Sequence, residues 1–135
     1  MAKTSVDNQV LTDLKFGRAD DTIVLFVPSK DKKGKAVSDQ AQWASAAATL
    51  FANLFGGSTG FKELIGSWFD PEAKNVLSEQ PIMIQSLTKR SKIENAANLR
   101  QLLAFCKRMG KKSNQACVGL AINDVFYYID DYSEA

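Results

Sequence analysis

Thr22-Ile23-Val24-Leu25-Phe26-Val27, closed by Pro28, is an unbroken run of apolar strand formers. A strand with one face in water would alternate, so this run predicts a strand buried on both faces. The loop after it, Ser29-Lys30-Asp31-Lys32-Lys33-Gly34-Lys35, is polar and basic. Ser38 or Asp39 then caps a helix, with Gln42 in capping-box position, and Gly56-Gly57 stops it after Phe55. No charged residue stands between Gln40 and Phe55. Trp43, Ala47, Leu50, Phe51 and Leu54 form a core stripe at helical spacing. Ala41, Ser45, Ala48 and Ala52 form a second stripe of small residues where a surface helix normally carries charge.

Further along, Phe61 to Phe69 reads as a strand and Asp70-Pro71-Glu72-Ala73-Lys74 as a turn. Val76 to Thr88 reads as the returning strand, with Pro81 marking an edge or a bulge. Ser91-Lys92-Ile93-Glu94 matches a capping box and predicts a second helix ending near Met109-Gly110. Cys117 to Ile122 and Val125 to Ile129 are apolar strands around Asn123-Asp124, a two-residue hairpin turn. The order is β-α-β-β-α-β with an added C-terminal strand. It predicts an α+β, ferredoxin-like split β-α-β-β-α-β two-layer sandwich, an antiparallel sheet with two helices on one face. Residues 1–20 read as an arm and residues 21–135 as a single α+β domain.

The 135 residues carry 17 Lys and Arg, 15 Asp and Glu, two cysteines and no histidine. Histidine-dependent nucleophilic catalysis and histidine-ligated zinc are therefore excluded within the chain. Two cysteines are too few for a disulfide framework, and both Cys106 and Cys117 are expected reduced and buried. The polar N-terminus shows no secretory h-region, and no window reaches the ~18 apolar residues of a membrane span. A cytoplasmic protein without a membrane partner is expected.

Leu54-Phe55-Gly56-Gly57-Ser58-Thr59, Gly66-x-Trp68 and Leu99-Arg100-x-x-x-Ala104-Phe105-x-x-Arg108-Met109-Gly110 resemble a pattern found in a group of short uncharacterised bacterial proteins. The resemblance spans about residues 22–129, agrees with the element order and implies no activity.

Three constellations bear on function. Residues 81–115 have a net charge of +7, and residues 116–135 one of −4. Arg100, Lys107, Arg108 and Lys111, together with Lys32, Lys33 and Lys35 of the first loop, are candidate phosphate contacts for a nucleic acid. The second is an apolar, aromatic patch on the sheet face that two helices leave open. It holds Val24 and Phe26, with either Phe126 and Tyr128 or Tyr127 and Ile129. No stretch matches the RNA-recognition signature, so a homodimer packed through this face explains the patch more simply. Val24, Phe26, Phe126 and Tyr128, with Ala41, Ser45, Ala48 and Ala52 of the helix, are the candidate interface. Third, Glu63, Glu79 and Asp124 are candidate ligands for a magnesium-dependent phosphodiesterase, although nothing in their spacing forces them together. No catalytic residue and no cofactor emerge. The sequence favours a non-catalytic, self-associating module that binds a partner protein or a small ligand.

Overall fold

A computed structural model describes residues 8–133. The first seven residues of the expected arm, and residues 134–135 of the acidic end, lie outside the described residues. The rest of the arm contains α1 (Asn8–Asp13), which buries none of its residues. The elements that follow are β1 (Asp21–Val27), α2 (Gln40–Phe55), β2 (Thr59–Phe61), β3 (Gly66–Asp70), β4 (Asn75–Glu79), β5 (Ile82–Thr88), α3 (Arg90–Ile93), α4 (Ala96–Lys112), β6 (Val118–Ile122) and β7 (Val125–Ile129). Strands order as β2-β5-β1-β6-β7 in one antiparallel sheet, and β3 and β4 form a separate two-stranded ribbon. Without β7 and the ribbon, this is the split β-α-β arrangement that the element order predicts.

β1 lies at the sheet's centre because both its neighbours need its apolar run. It pairs with all seven residues of β5 and, through Ile23, Val24 and Leu25, with β6. Ile23, Leu25 and Val27 point to the helix side and are fully buried with Ala47, Phe51, Leu102, Cys106 and Met109. Gly56 ends α2 in the left-handed conformation at φ 98°, as the paired glycines predict. Asp39 stands at the N-cap position, but its side chain makes no capping hydrogen bond.

Two expected elements are divided. The Phe61–Phe69 strand is β2 in the main sheet and β3 in the ribbon, and its return partner splits into β4 and β5. Pro81, which is buried, sits at the second division and has no N–H to continue a ladder. Opposite it, a Cβ on Gly66 would stand 3.2 Å from Glu79 Cγ and 3.3 Å from Pro81 Cδ, so the glycine permits the crossing. The second helix is likewise two pieces. The Ser91–Glu94 segment forms only the single turn α3, and α4 begins afresh from Asn95, whose side chain accepts the Asn98 amide at 3.1 Å. Gly110 does not stop α4, which runs on to Lys112.

One ion pair ties the end of β1 to α3. Asp21 is fully buried and receives Arg90 through Nε at 2.5 Å and Nη2 at 2.8 Å, and Asn123 Nδ2 at 3.1 Å. The Arg90 bond first, then Asn123 and the Arg90 charge, hold the Asp21 carboxyl below its ordinary range against the opposing effect of burial. A carboxylate with a depressed folded-state pKa stabilises above its unfolded value and loses that contribution as pH falls through the folded one. Stability should therefore decline below about pH 4, and more steeply in wild type than in Asp21→Asn. At neutral pH that variant should melt roughly 5 °C or more below wild type, read by circular dichroism. Equal melting at pH 7 would show that the pair contributes nothing net.

Candidate small-molecule site

Strand register decides which aromatics share the open face. Ala121 pairs with Phe126 and Gly119 with Tyr128, while Val24 pairs with Ala121. Cross-strand partners point the same way, so Val24, Phe26, Phe126 and Tyr128 stand on the side without helices, and Tyr127 and Ile129 on the other. Val24 is already buried within the chain, and Phe26 is half-buried. Phe126 and Tyr128 are 59% and 63% exposed. Of the small-residue stripe on α2, Ala41, Ser45 and Ala52 are exposed and Ala48 is half-buried.

The open face ends in a cavity of about 500 Å³. Its sheet wall is Phe26, Pro28, Gly119 and Phe126. The ribbon and the loop before it supply Leu64, Ile65 and Trp68, while the connector after α4 supplies Gln115, Ala116 and Cys117. Glu79 is the single acid and Lys32 the single base among the lining residues. Gly119 makes room where a side chain would be tight, since a Cβ there would meet Phe126 Cζ at 3.0 Å and Phe26 Cδ2 at 3.6 Å. Glu79 is steadied by the Ser29 amide, which donates to its Oε2 at 3.3 Å.

Cys117, expected buried, is exposed, and Cys106 is fully buried. Burial pushes the Cys106 thiol up to about 12. Partial burial first, then Asp130 and Glu79, also raise the Cys117 thiol, which makes it a poor nucleophile at neutral pH.

The remaining expected residues disperse. Arg100, Lys107, Arg108 and Lys111 share a groove on α4 with Lys112, Leu103 and Tyr132. Arg108 lies 5.5 Å from the Phe105 ring centre, and Lys107 Nζ donates to the Ser133 carbonyl at 2.9 Å. Lys32 lines the other cavity, so the helix and loop cations do not converge on one. The amides of Lys33 and Lys35 both donate to Asp31 Oδ1, an Asx-type turn that shapes the loop. Glu63, Glu79 and Asp124 do not gather, and among the described residues no group of three or more metal-ligating side chains forms. No helix among the described residues is long and apolar enough to cross a membrane.

Sequence reasoning named Phe26, Phe126, Glu79 and Lys32 for three separate purposes and missed that they line one cavity. Trp68, Gln115 and Gly119 it did not assign at all. The available signal was Pro81, which breaks the ladder and divides the returning strand near Gly66-x-Trp68.

Sheet, helices and overhanging ribbon define a small antiparallel α+β sandwich with a ligand-sized cavity at one end of its open face. Two solved structures share that architecture. A phage SAM lyase in complex with S-methyl-5'-thioadenosine superposes with a TM-score of 0.61 at 10% identity, covering 89% of this chain and 98% of its own. A phage SAM lyase in the apo state gives 0.59 at 12% identity, covering 90% and 97%. No family model and no curated protein matches the sequence. These likenesses establish the fold. They also correct the expectation of a non-catalytic module, because both neighbours with this architecture are enzymes and one holds a small ligand.

Proposed function

We propose that the cavity beneath the ribbon takes an adenosine thioether or its sulfonium parent, and that the chain cleaves S-adenosylmethionine as the phage enzyme's name describes. The observation that carries this reading is the cavity's make-up. It has the volume of a ligand site, aromatic residues from both the ribbon and the main sheet, and one carboxylate and one ammonium. Trp68 on the ribbon and Phe26 and Phe126 on the sheet offer stacking surfaces for a purine. Glu79 suits the ammonium of an amino-acid chain, and Lys32 its carboxylate.

Cleaving the sulfonium carbon–sulfur bond returns the bonding pair to sulfur, giving a neutral thioether. The departing four-carbon fragment balances the charge by closing on its own carboxylate or by releasing a proton. Closure cancels the sulfonium charge against the carboxylate, and proton release carries the positive charge out of the apolar cavity to water. Apolar walls solvate a sulfonium poorly and a thioether well, so desolvation in this cavity favours the step.

Full-length chain incubated with S-adenosylmethionine should release S-methyl-5'-thioadenosine, resolved by chromatography. Calorimetric titration should show that product binding at one site per chain. Absence of both turnover and binding at millimolar ligand would sink the reading. Exposed Phe126 and Tyr128 further support a homodimer through the open face, for which light scattering on the same sample should give twice the mass of one chain.

A further inference from the structure

We propose that Tyr132 is a positioning residue for the cavity, a strap that holds the connector wall from behind. This rests on the ligand reading above only for what the cavity binds. After β7 the chain turns back across α4, and the Tyr132 hydroxyl donates to the Gln115 carbonyl at 3.0 Å. Gln115 lines the cavity. Its own side chain donates to the Lys30 carbonyl at 2.9 Å and the Ser113 carbonyl at 3.1 Å, and the neighbouring Asn114 carbonyl accepts the Lys32 amide at 2.9 Å. One phenol thus sits behind two adjoining pieces of the wall, the connector and the Lys32 loop.

The helix beneath is shaped for this contact. Glycine is poor in a helix interior, yet Gly110 is buried inside α4. A Cβ at that position would overlap the Tyr132 ring and stand 2.8 Å from its hydroxyl oxygen. The glycine is a notch for the ring. Lys107, donating to the Ser133 carbonyl, fastens the strap one residue further on. Burial, with smaller effects of Cys117 and Asp130, pushes the Tyr132 hydroxyl up to about 12, so the bond to Gln115 keeps its proton throughout the working range.

Cys117 reports on this wall directly, and buried Cys106 is an internal control. The experiment measures thiol labelling of the full chain by 5,5'-dithiobis(2-nitrobenzoate) at pH 8.5, alongside S-methyl-5'-thioadenosine affinity and the melting curve. Tyr132→Phe keeps the ring in its notch and removes only the hydrogen bond. It should speed Cys117 labelling about threefold or more, and weaken ligand affinity by a similar factor, with Cys106 silent and melting unchanged. Gly110→Ala, which expels the ring, should act in the same direction and more strongly. Unchanged Cys117 rates in both variants would overturn the proposal, as would Cys106 labelling that rises with a falling melting temperature. A wild-type chain that binds no thioether would remove the ligand reading, while the Cys117 rates still decide the strap.

Discussion

Phe51→Ala should cost the fold about 4 kcal/mol, the largest loss expected from any single truncation in the core. Phe51 is fully buried on the sheet-facing side of α2, its ring edge-on to Phe55 with centroids 5.3 Å apart. α2 holds β5 and β1 together across the split β-α-β unit, so a void beneath Phe51 opens where neither strand can shift to fill it. The pairing of β1 to β5 over its full length fixes both backbones. Against a total stability of roughly 7–20 kcal/mol for a chain of this length, the variant should remain folded with a much smaller margin. Urea denaturation followed by circular dichroism measures the loss. Ser45→Ala on the exposed side of the same helix should change stability by no more than about 0.5 kcal/mol. A Phe51→Ala cost below about 1.5 kcal/mol would mean that α2 is seated on the sheet differently from the packing described.

The second large effect is expected in the cavity. Trp68→Ala should weaken S-methyl-5'-thioadenosine binding roughly 10- to 100-fold, because truncating an aromatic under a stacked base usually costs about 1–3 kcal/mol. The ribbon that carries Trp68 stands outside the main sheet, so the fold should tolerate the change. Glu79→Gln separates the two ends of the ligand. S-methyl-5'-thioadenosine lacks the amino-acid chain, so its binding should be unaltered. Turnover of S-adenosylmethionine should fall by about 10- to 100-fold in kcat/KM, the usual worth of a charge-assisted hydrogen bond. Equal loss for both ligands would move Glu79 from the amino-acid end to a general role in shaping the wall. No loss for either would remove it from the site.

Local signals carried the architecture. The unbroken run from Thr22 to Val27 placed β1 at the centre, and Gly56 placed the end of α2. Asn123-Asp124 placed the last hairpin: Asn123 adopts φ 55° and exchanges backbone and side-chain hydrogen bonds with Thr22. For β1 and Gly56 the deciding preference lies within the residues themselves, and at Asn123 the local turn preference is reinforced by the distant Thr22 backbone. The errors arose where a neighbour overruled them. Gly110 has the look of a helix stop, but the Tyr132 ring occupies the space that the missing side chain leaves. Ser91 to Glu94 has the spacing of a capping box, yet Asn95 caps the long helix, and Arg90 is drawn to the buried Asp21 at the far end of β1.

The candidate site was legible only in fragments. Phe26 was assigned to an interface, Glu79 to a metal and Lys32 to an anion surface, each from its own stretch. Register then sorted Phe126 and Tyr128 from Tyr127 and Ile129, which alternation alone leaves undecided because a strand's two faces are equivalent until a partner is fixed.

By itself the sequence determined the central strand, the first long helix, the last hairpin and the coarse order of the elements, since propensity, capping and turn preferences act over a few neighbouring residues. Only the tertiary structure decided that a ribbon leaves the sheet at Pro81 and that its Trp68 lines a shared cavity with Phe26 of β1, Glu79 and Gln115. Those residues are brought together by chain closure over tens of positions, and no local pattern encodes the distance between them.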